Sequence, residues 1–181
     1  MSKIGEKPVV IPAAVTVQID RQAVEVRGPL GMMNFQVPSN LKLERQEDKL
    51  LITRTREDKK SKSLHGLYRS LIFNAVVGVE TPWMKKLEIV GTGYSVKPQG
   101  EDLIFKVGYS HVVEFKKVEG IKFTVDGNNK VTVSGFDKYL VGEIAHQIKS
   151  IRKPDVYKGK GIKYEGEKLR IKAGKKAKTA E

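Results

Sequence analysis

The chain contains no cysteine, which excludes disulfides and thiolate metal sites. Only three histidines occur, His65, His111 and His146, and none has a partner at metal-ligand spacing such as H-E-x-x-H. His65 reads most simply as a polar contact at a helix start, and His146 as part of the polar side of a second helix. Long apolar runs are also missing. No stretch reaches the roughly 20 apolar residues of a membrane span, and residues 1–8 lack the hydrophobic run of a signal peptide. A soluble, cytoplasmic protein is expected. Nucleotide and nucleophile motifs fail as well. Gly91-Thr92-Gly93 lacks the third glycine and the helix of a dinucleotide fingerprint, and no phosphate-binding G-x-x-x-x-G-K-[ST] occurs. Gly108-Tyr109-Ser110-His111-Val112 places valine where a nucleophile elbow requires glycine. The expectation is a protein that is not an enzyme, with no metal, no cofactor and no small-molecule substrate.

What the chain does have is positive charge, unevenly spread. Net charge is +13 and the pI near 9.8. Residues 149–181 hold 12 of the 34 Lys and Arg against 4 of the 21 Asp and Glu, a net +8 in under a fifth of the length. Such a balance points to a polyanionic partner, nucleic acid before an anionic membrane. The segment after Ala173 has no apolar helical face to insert into lipid, so no membrane partner is expected.

Within this basic region lies Pro154-Asp155-Val156-Tyr157-Lys158-Gly159-Lys160-Gly161-Ile162-Lys163-Tyr164. Lysines alternate with glycines, and tyrosines flank them. Glycine lets a backbone approach a ligand closely, lysine offers charge to phosphate, and the rings offer stacking faces. The plainer reading is a solvated, flexible tail. On either reading the run lies outside the apolar helix faces, so changes to it should leave the fold intact.

The rest of the chain reads as one pattern occurring twice. Val15–Ile19, Ala23–Arg27, Met32–Val37, Leu41–Leu43 and Leu50–Thr53 are strand-like, and the face Leu64, Leu67, Tyr68, Leu71, Ile72, Ala75, Val76 and Val79 predicts a helix capped by Ser61 or Ser63. Leu87–Val90, Tyr94–Lys97, Leu103–Val107, Val112–Phe115, Ile121–Val125 and Val131–Ser134 then precede a second helical face. That face is Leu140, Val141, Ile144, Ala145, Ile148 and Ile151, with Asp137 as its cap and Pro154 ending it. Val26, Phe35, Leu41, Leu43, Leu50 and Ile52 align with Val107, Phe115, Ile121, Phe123, Val131 and Val133 at offsets of 80 or 81. The fold class expected is α+β, as two tandem similar domains, each a mostly antiparallel β-sheet packed against one α-helix. The expected bounds are 1–82 and 83–173, joined at Thr81-Pro82-Trp83, with a basic tail over 174–181.

Laid out this way, the chain resembles the bacterial-type sixth protein of the large ribosomal subunit. The resemblance runs from Met1 to about Lys176. It is carried by residues 1–8, by Ile11-Pro12, by Val26-Arg27-Gly28-Pro29-Leu30-Gly31 and by Lys62-Ser63-Leu64-His65-Gly66-Leu67. Asn74-Ala75-Val76-Val77-Gly78-Val79, Gly91-Thr92-Gly93-Tyr94 and Val107-Gly108-Tyr109-Ser110-His111 also match, and the family's C-terminal signature falls on Pro154 through Ile162. Many members have proline where this chain has Val156. The resemblance implies two domains of like fold and no catalytic residue. It also implies binding to large-subunit ribosomal RNA near the base of the factor-binding stalk, among neighbouring ribosomal proteins, as a ribosome-bound component supporting translation.

The candidate RNA-binding residues are Lys149, Arg152 and Lys153 leaving the second helix, and Tyr157, Lys158, Gly159, Lys160, Gly161, Lys163 and Tyr164 in the glycine loop. Lys168, Arg170 and Lys172 alternate along an expected last strand, with Leu169 and Ile171 buried behind them, and Lys175 and Lys176 follow. Solvation alone would also account for the alternating cations, and a local core contact for Tyr164. Lys59, Lys60 and Lys62 beside Glu57 and Asp58 read as a solvated turn. A free nucleic-acid-binding regulator, not associated with ribosomes, remains the alternative function.

Overall fold

The computed structural model describes residues 3–174. Its contacts divide it into two compact units. The first ends at Trp83 and also takes in Gly135–Lys138; the second holds Met84–Ser134 and resumes at Tyr139.

The first unit contains β1 (Val9–Val10), β2 (Thr16–Asp20), β3 (Ala23–Gly28), β4 (Gly31–Gln36), β5 (Leu41–Gln46), β6 (Lys49–Arg54) and α1 (Lys59–Glu80). One sheet is the antiparallel meander β2-β3-β4; the other has the order β1-β6-β5. Alternate residues turn inward, as a sheet with one wet face requires. Val17, Val24, Val26, Leu50 and Ile52 meet Ile72, Ala75, Val76 and Val79 of α1 in one core.

The helix departs from its sequence reading at its start. Its cap is Asp58, not Ser61 or Ser63. The Asp58 carboxylate accepts the Ser61 N–H at 3.0 Å, and this bonding holds its pKa below the ordinary aspartate value. Because the helix begins earlier, His65 lies inside it rather than before it, and is buried. Its Nε2 lies 2.7 Å from the Ile52 carbonyl and its Nδ1 3.5 Å from the Arg54 guanidinium. A polar ring with partners thus occupies the core-facing position, and Leu67, expected there, faces solvent.

The second unit contains β7 (Trp83–Val90, all but its first residue), β8 (Ser95–Gln99), β9 (Asp102–Lys106), β10 (Val113–Phe115), β11 (Ile121–Asp126), β12 (Lys130–Gly135, less its last residue), α2 (Lys138–Ile151, after its first residue) and β13 (Gly161–Tyr164). It repeats the first arrangement. The meander β8-β9-β10 corresponds to β2-β3-β4, and β11-β12-β7 to β5-β6-β1. Pairing registers fix the correspondence. Val26 lies opposite Val17, and Phe105 opposite Val96. The counterpart of Val26 is therefore Phe105, not Val107. The periodicity of alternating strands is two residues, so a slip of two preserves the apolar match while misaligning the pair. Phe35 and Phe115 do correspond, opposite Val24 and Leu103.

The two units differ in their hairpin tips. The loops after β2 and β5 place Arg21 and Glu47 at φ of 47° and 50°, where the second unit has Gly100 and Gly127 at 62° and 65°. A side chain in this region is strained, whereas glycine is not.

The largest departure from expectation is β13. The second half of the lysine–glycine run is a strand. It pairs antiparallel with β7, Gly161 opposite Val90 and Tyr164 opposite Leu87. Ile162 is wholly buried, and its N–H donates to the Arg152 carbonyl at 2.8 Å. The run is therefore part of the fold, not a separable appendage. Gly161 meets a close approach: a Cβ there would lie 2.7 Å from the Pro154 Cα and the Lys153 carbonyl oxygen, at a φ of 146°. Conversely, the expected strand over Lys168, Arg170 and Lys172 does not form among the described residues. The chain turns at Glu165-Gly166, and the Glu167 carboxylate takes the Tyr164 N–H at 3.0 Å, which ends the ladder. Leu169 is half-buried but Ile171 is exposed. Glu167 also binds the Lys149 ammonium at 2.6 and 2.8 Å, tying the last turn of α2 to the chain beyond β13.

Three outcomes follow from this packing. Gly161→Val should lower unfolding stability by at least about 2 kcal/mol, because the neighbouring atoms are backbone and cannot swing aside; thermal denaturation of the free protein checks it. Gly100→Ala should cost about 1 kcal/mol, while Arg21→Gly should be neutral or stabilising at the equivalent tip, read by denaturant midpoints. Glu167 has its pKa lowered, first by the hydrogen bond from Lys149 and then by the Tyr164 N–H. Its contribution is therefore present above the ordinary glutamate value of 4.5 and is lost as pH falls through the lower folded value. Glu167→Gln should cost about 1 kcal/mol at pH 7, and the gap to the parent protein should close on acidification below pH 4.5.

Candidate RNA-binding surface

The basic surface is built where α2 ends. Pro154 lies beyond Ile151, and the backbone turns back on itself around Asp155. The Asp155 N–H donates to the Lys160 carbonyl at 2.9 Å, and the Asp155 carbonyl accepts from Gly159 at 3.0 Å. The Asp155 carboxylate accepts the Lys158 N–H at 2.8 Å. The Lys172 N–H closes the far side on the Val156 carbonyl at 2.8 Å. These bonds hold Lys158 and Tyr157 outward at the tip of an ordered turn, with Tyr157 57% exposed. Gly159 is buried beneath, with Leu169 and Ile171 in van der Waals range of where its Cβ would be.

The candidate cations separate into two groups. Lys149 and Lys163 are engaged inside the unit: Lys149 with Glu167, and Lys163 with Glu88 at 3.1 Å. Tyr164 is engaged as well. Its half-buried ring lies under the Lys149 ammonium at 4.5 Å and the Lys85 ammonium at 5.6 Å, which fits the local-contact reading. Lys153, Lys158, Lys168, Arg170 and Lys172 are exposed, Lys160 is half-exposed, and among the described residues none of the six forms an ion pair. Lys175 and Lys176, and the tail from 175 onward, lie outside the described residues.

Arg152 belongs to a feature that the charge pattern alone did not reveal. Its guanidinium lies 4.8 Å over the Tyr109 ring. The neighbouring Tyr109, and after it Tyr94, hold the pKa of Arg152 above the ordinary arginine value. Tyr109 donates its hydroxyl to the Ile151 carbonyl at 2.9 Å, and its ring stacks at 15° and 6.0 Å on His111. Beside Tyr109 and Arg152 lies an open cleft of about 530 Å³, lined also by Tyr94, Ser150, Asp155 and Lys160 among others. The signal for it stood in the sequence as Gly91-Thr92-Gly93-Tyr94 and Gly108-Tyr109-Ser110-His111. The glycines are small because Tyr94 packs on them: a Cβ at Gly91 or Gly108 would lie 2.7 or 2.9 Å from its ring.

No group of three or more potential metal ligands is assembled among the described residues, and no described helix is long and apolar enough to cross a membrane. The surface is suited to an extended polyanion: fixed cations, a flat ring pair and an open cleft.

Comparison with known protein families gives a match to ribosomal protein L6 over residues 11–81 and again over 90–165. Each stretch covers most of one copy of the strands-then-helix repeat, from after β1 in the first and from the end of β7 in the second. The chain belongs to the ribosomal protein L6 family, large-subunit ribosomal proteins that bind ribosomal RNA.

Proposed function

We propose that the second unit makes the main contact with large-subunit ribosomal RNA, and that the protein sits near the base of the factor-binding stalk, beside neighbouring ribosomal proteins. The reading makes it a structural component of the cytoplasmic ribosome, supporting translation without catalysis. The supporting observation is the set of cations around the ordered turn that form no ion pair among the described residues: Lys153, Lys158, Lys168, Arg170 and Lys172, exposed, and Lys160, half-exposed. Fixed cations of one sign attract phosphate without reading sequence. Lys149, Lys163 and Tyr164 serve this surface from beneath, by holding α2, β7 and β13 together. The first unit acts as a companion scaffold; its Lys59, Lys60 and Lys62 begin α1 rather than forming a turn, and Lys62 is partnered by Glu57.

Two measurements test this. The protein should sediment with large subunits from a lysate at moderate salt, and hydroxyl-radical cleavage from a probe at position 158 should map to RNA at the stalk base. A chain that remains with free protein supports the regulator reading instead. Replacing Lys158, Lys168, Arg170 and Lys172 together by alanine should make the slope of log affinity against log salt shallower by about three, with the unfolding midpoint nearly unchanged. An unchanged slope would place the contact elsewhere. Truncation at residue 154 is no substitute for this variant, because it removes the buried Ile162.

A further inference from the structure

We propose that the outer face of His111, backed by the Tyr109 ring, stacks on one unpaired RNA base, whose flanking phosphate lies in the adjoining cleft against Arg152 and Lys160. The inference rests on the RNA-binding reading above and gives it a discrimination that exposed lysines cannot supply, namely unpaired over duplex RNA.

The two rings are nearly parallel, at 15° and 6.0 Å. Tyr109 is 40% exposed and His111 is exposed too. The platform is rigid before any ligand arrives, because the Tyr109 hydroxyl is anchored on the Ile151 carbonyl. Arg152 lies over the Tyr109 ring. A guanidinium stacked by one face keeps its in-plane N–H groups for an anion, which suits the two oxygens of a phosphate.

The obvious objection is that a helix C-terminus and an aspartate stand at this cleft, and both repel phosphate. The structure answers it. The Ile151 carbonyl is taken by Tyr109, the Arg152 carbonyl by the Ile162 N–H, and the Lys160 carbonyl by the Asp155 N–H. One oxygen of Asp155 is taken by the Lys158 N–H. These three carbonyls and one Asp155 oxygen are engaged by the Tyr109 hydroxyl and by backbone N–H groups, while Arg152, Lys153 and Lys160 carry no carboxylate partner among the described residues. Bases in an A-form helix have both faces covered, so a ring platform gains nothing from them. An unstacked base offers a free face to it.

The test uses the full chain and two probes at one salt concentration: a short single-stranded oligouridylate and a blunt RNA duplex of equal length. His111→Leu should weaken single-strand binding about tenfold and leave duplex binding and the salt slope unchanged. His111→Phe, which keeps a ring, should retain most of the single-strand affinity. Equal losses on both probes, or none on either, would overturn the platform. Thermal unfolding is measured beside each variant, and if His111→Leu does not fold, His111→Ala carries the same comparison. Failure of the parent chain to bind either probe or ribosomal RNA would sink the RNA-binding reading itself, a different result from loss of discrimination.

Discussion

The second unit depends on the burial of one side chain, Ile162. It is wholly buried, and its N–H donates back to Arg152 at the end of α2. Burying such a side chain contributes roughly 2 kcal/mol, enough to decide the state of a short segment. With Ile162 held, Gly161 must pass close over Pro154, and the residues between are forced into a turn. The turn closes on Asp155 rather than on solvent. Lysines that would otherwise sample many positions are fixed relative to α2, and the cleft beside Tyr109 acquires its floor.

The duplicated scaffold shows what was added to make such a surface. Both units have a three-stranded meander, a second sheet and a helix, and in both the meander's central strand buries alternate apolar residues: Val24 and Val26 in one, Leu103 and Phe105 in the other. The order β11-β12-β7 continues into β13, whereas β5-β6-β1 ends at β1 among the described residues. In the second unit the extra strand covers the edge that β7 would leave open, which guards against unwanted pairing. It also brings the basic C-terminal region to the end of α2. One addition therefore satisfies an edge and builds the proposed binding surface.

Most of the fold was legible in the sequence because it is written in apolar periodicity. The strands around Val24, Phe35, Leu50, Ile121 and Val131 and the α2 face all lie where alternation or helical spacing places them. What escaped was set by polar partners and by backbone contact. Asp58 displaced the expected cap, and His65 took a core position because Ile52 and Arg54 satisfy its ring. β13 was hidden because glycine and lysine dominate its neighbourhood, and a lone apolar residue such as Ile162 gives no period. The basic region was legible as charge, but which cations are engaged was not, since their partners Glu88 and Glu167 are visible only once the chain is folded. Tyr109 and His111 stood in the sequence only within a failed nucleophile elbow and a family-matching stretch. The meeting of Tyr109 with Arg152 is a tertiary event across about 40 residues.

The division of charge also decides between a tether and a surface. A flexible lysine tail attracts RNA at long range but loses conformational freedom when it docks, at roughly 1–2 kcal/mol per residue fixed. In the ordered turn that entropy is already lost on folding. Glu88 and Glu167 hold Lys163 and Lys149 against the sheet, and the bonds around Asp155 hold Lys158 away from it. The internal ion pairs do not weaken the positive surface; they keep its outward members in place. Salt screens exposed cations over a Debye length of about 8 Å at physiological ionic strength, so attraction falls with salt while the geometry persists. On the proposed reading, such a surface takes its register on RNA from shape, and charge sets how tightly it is held.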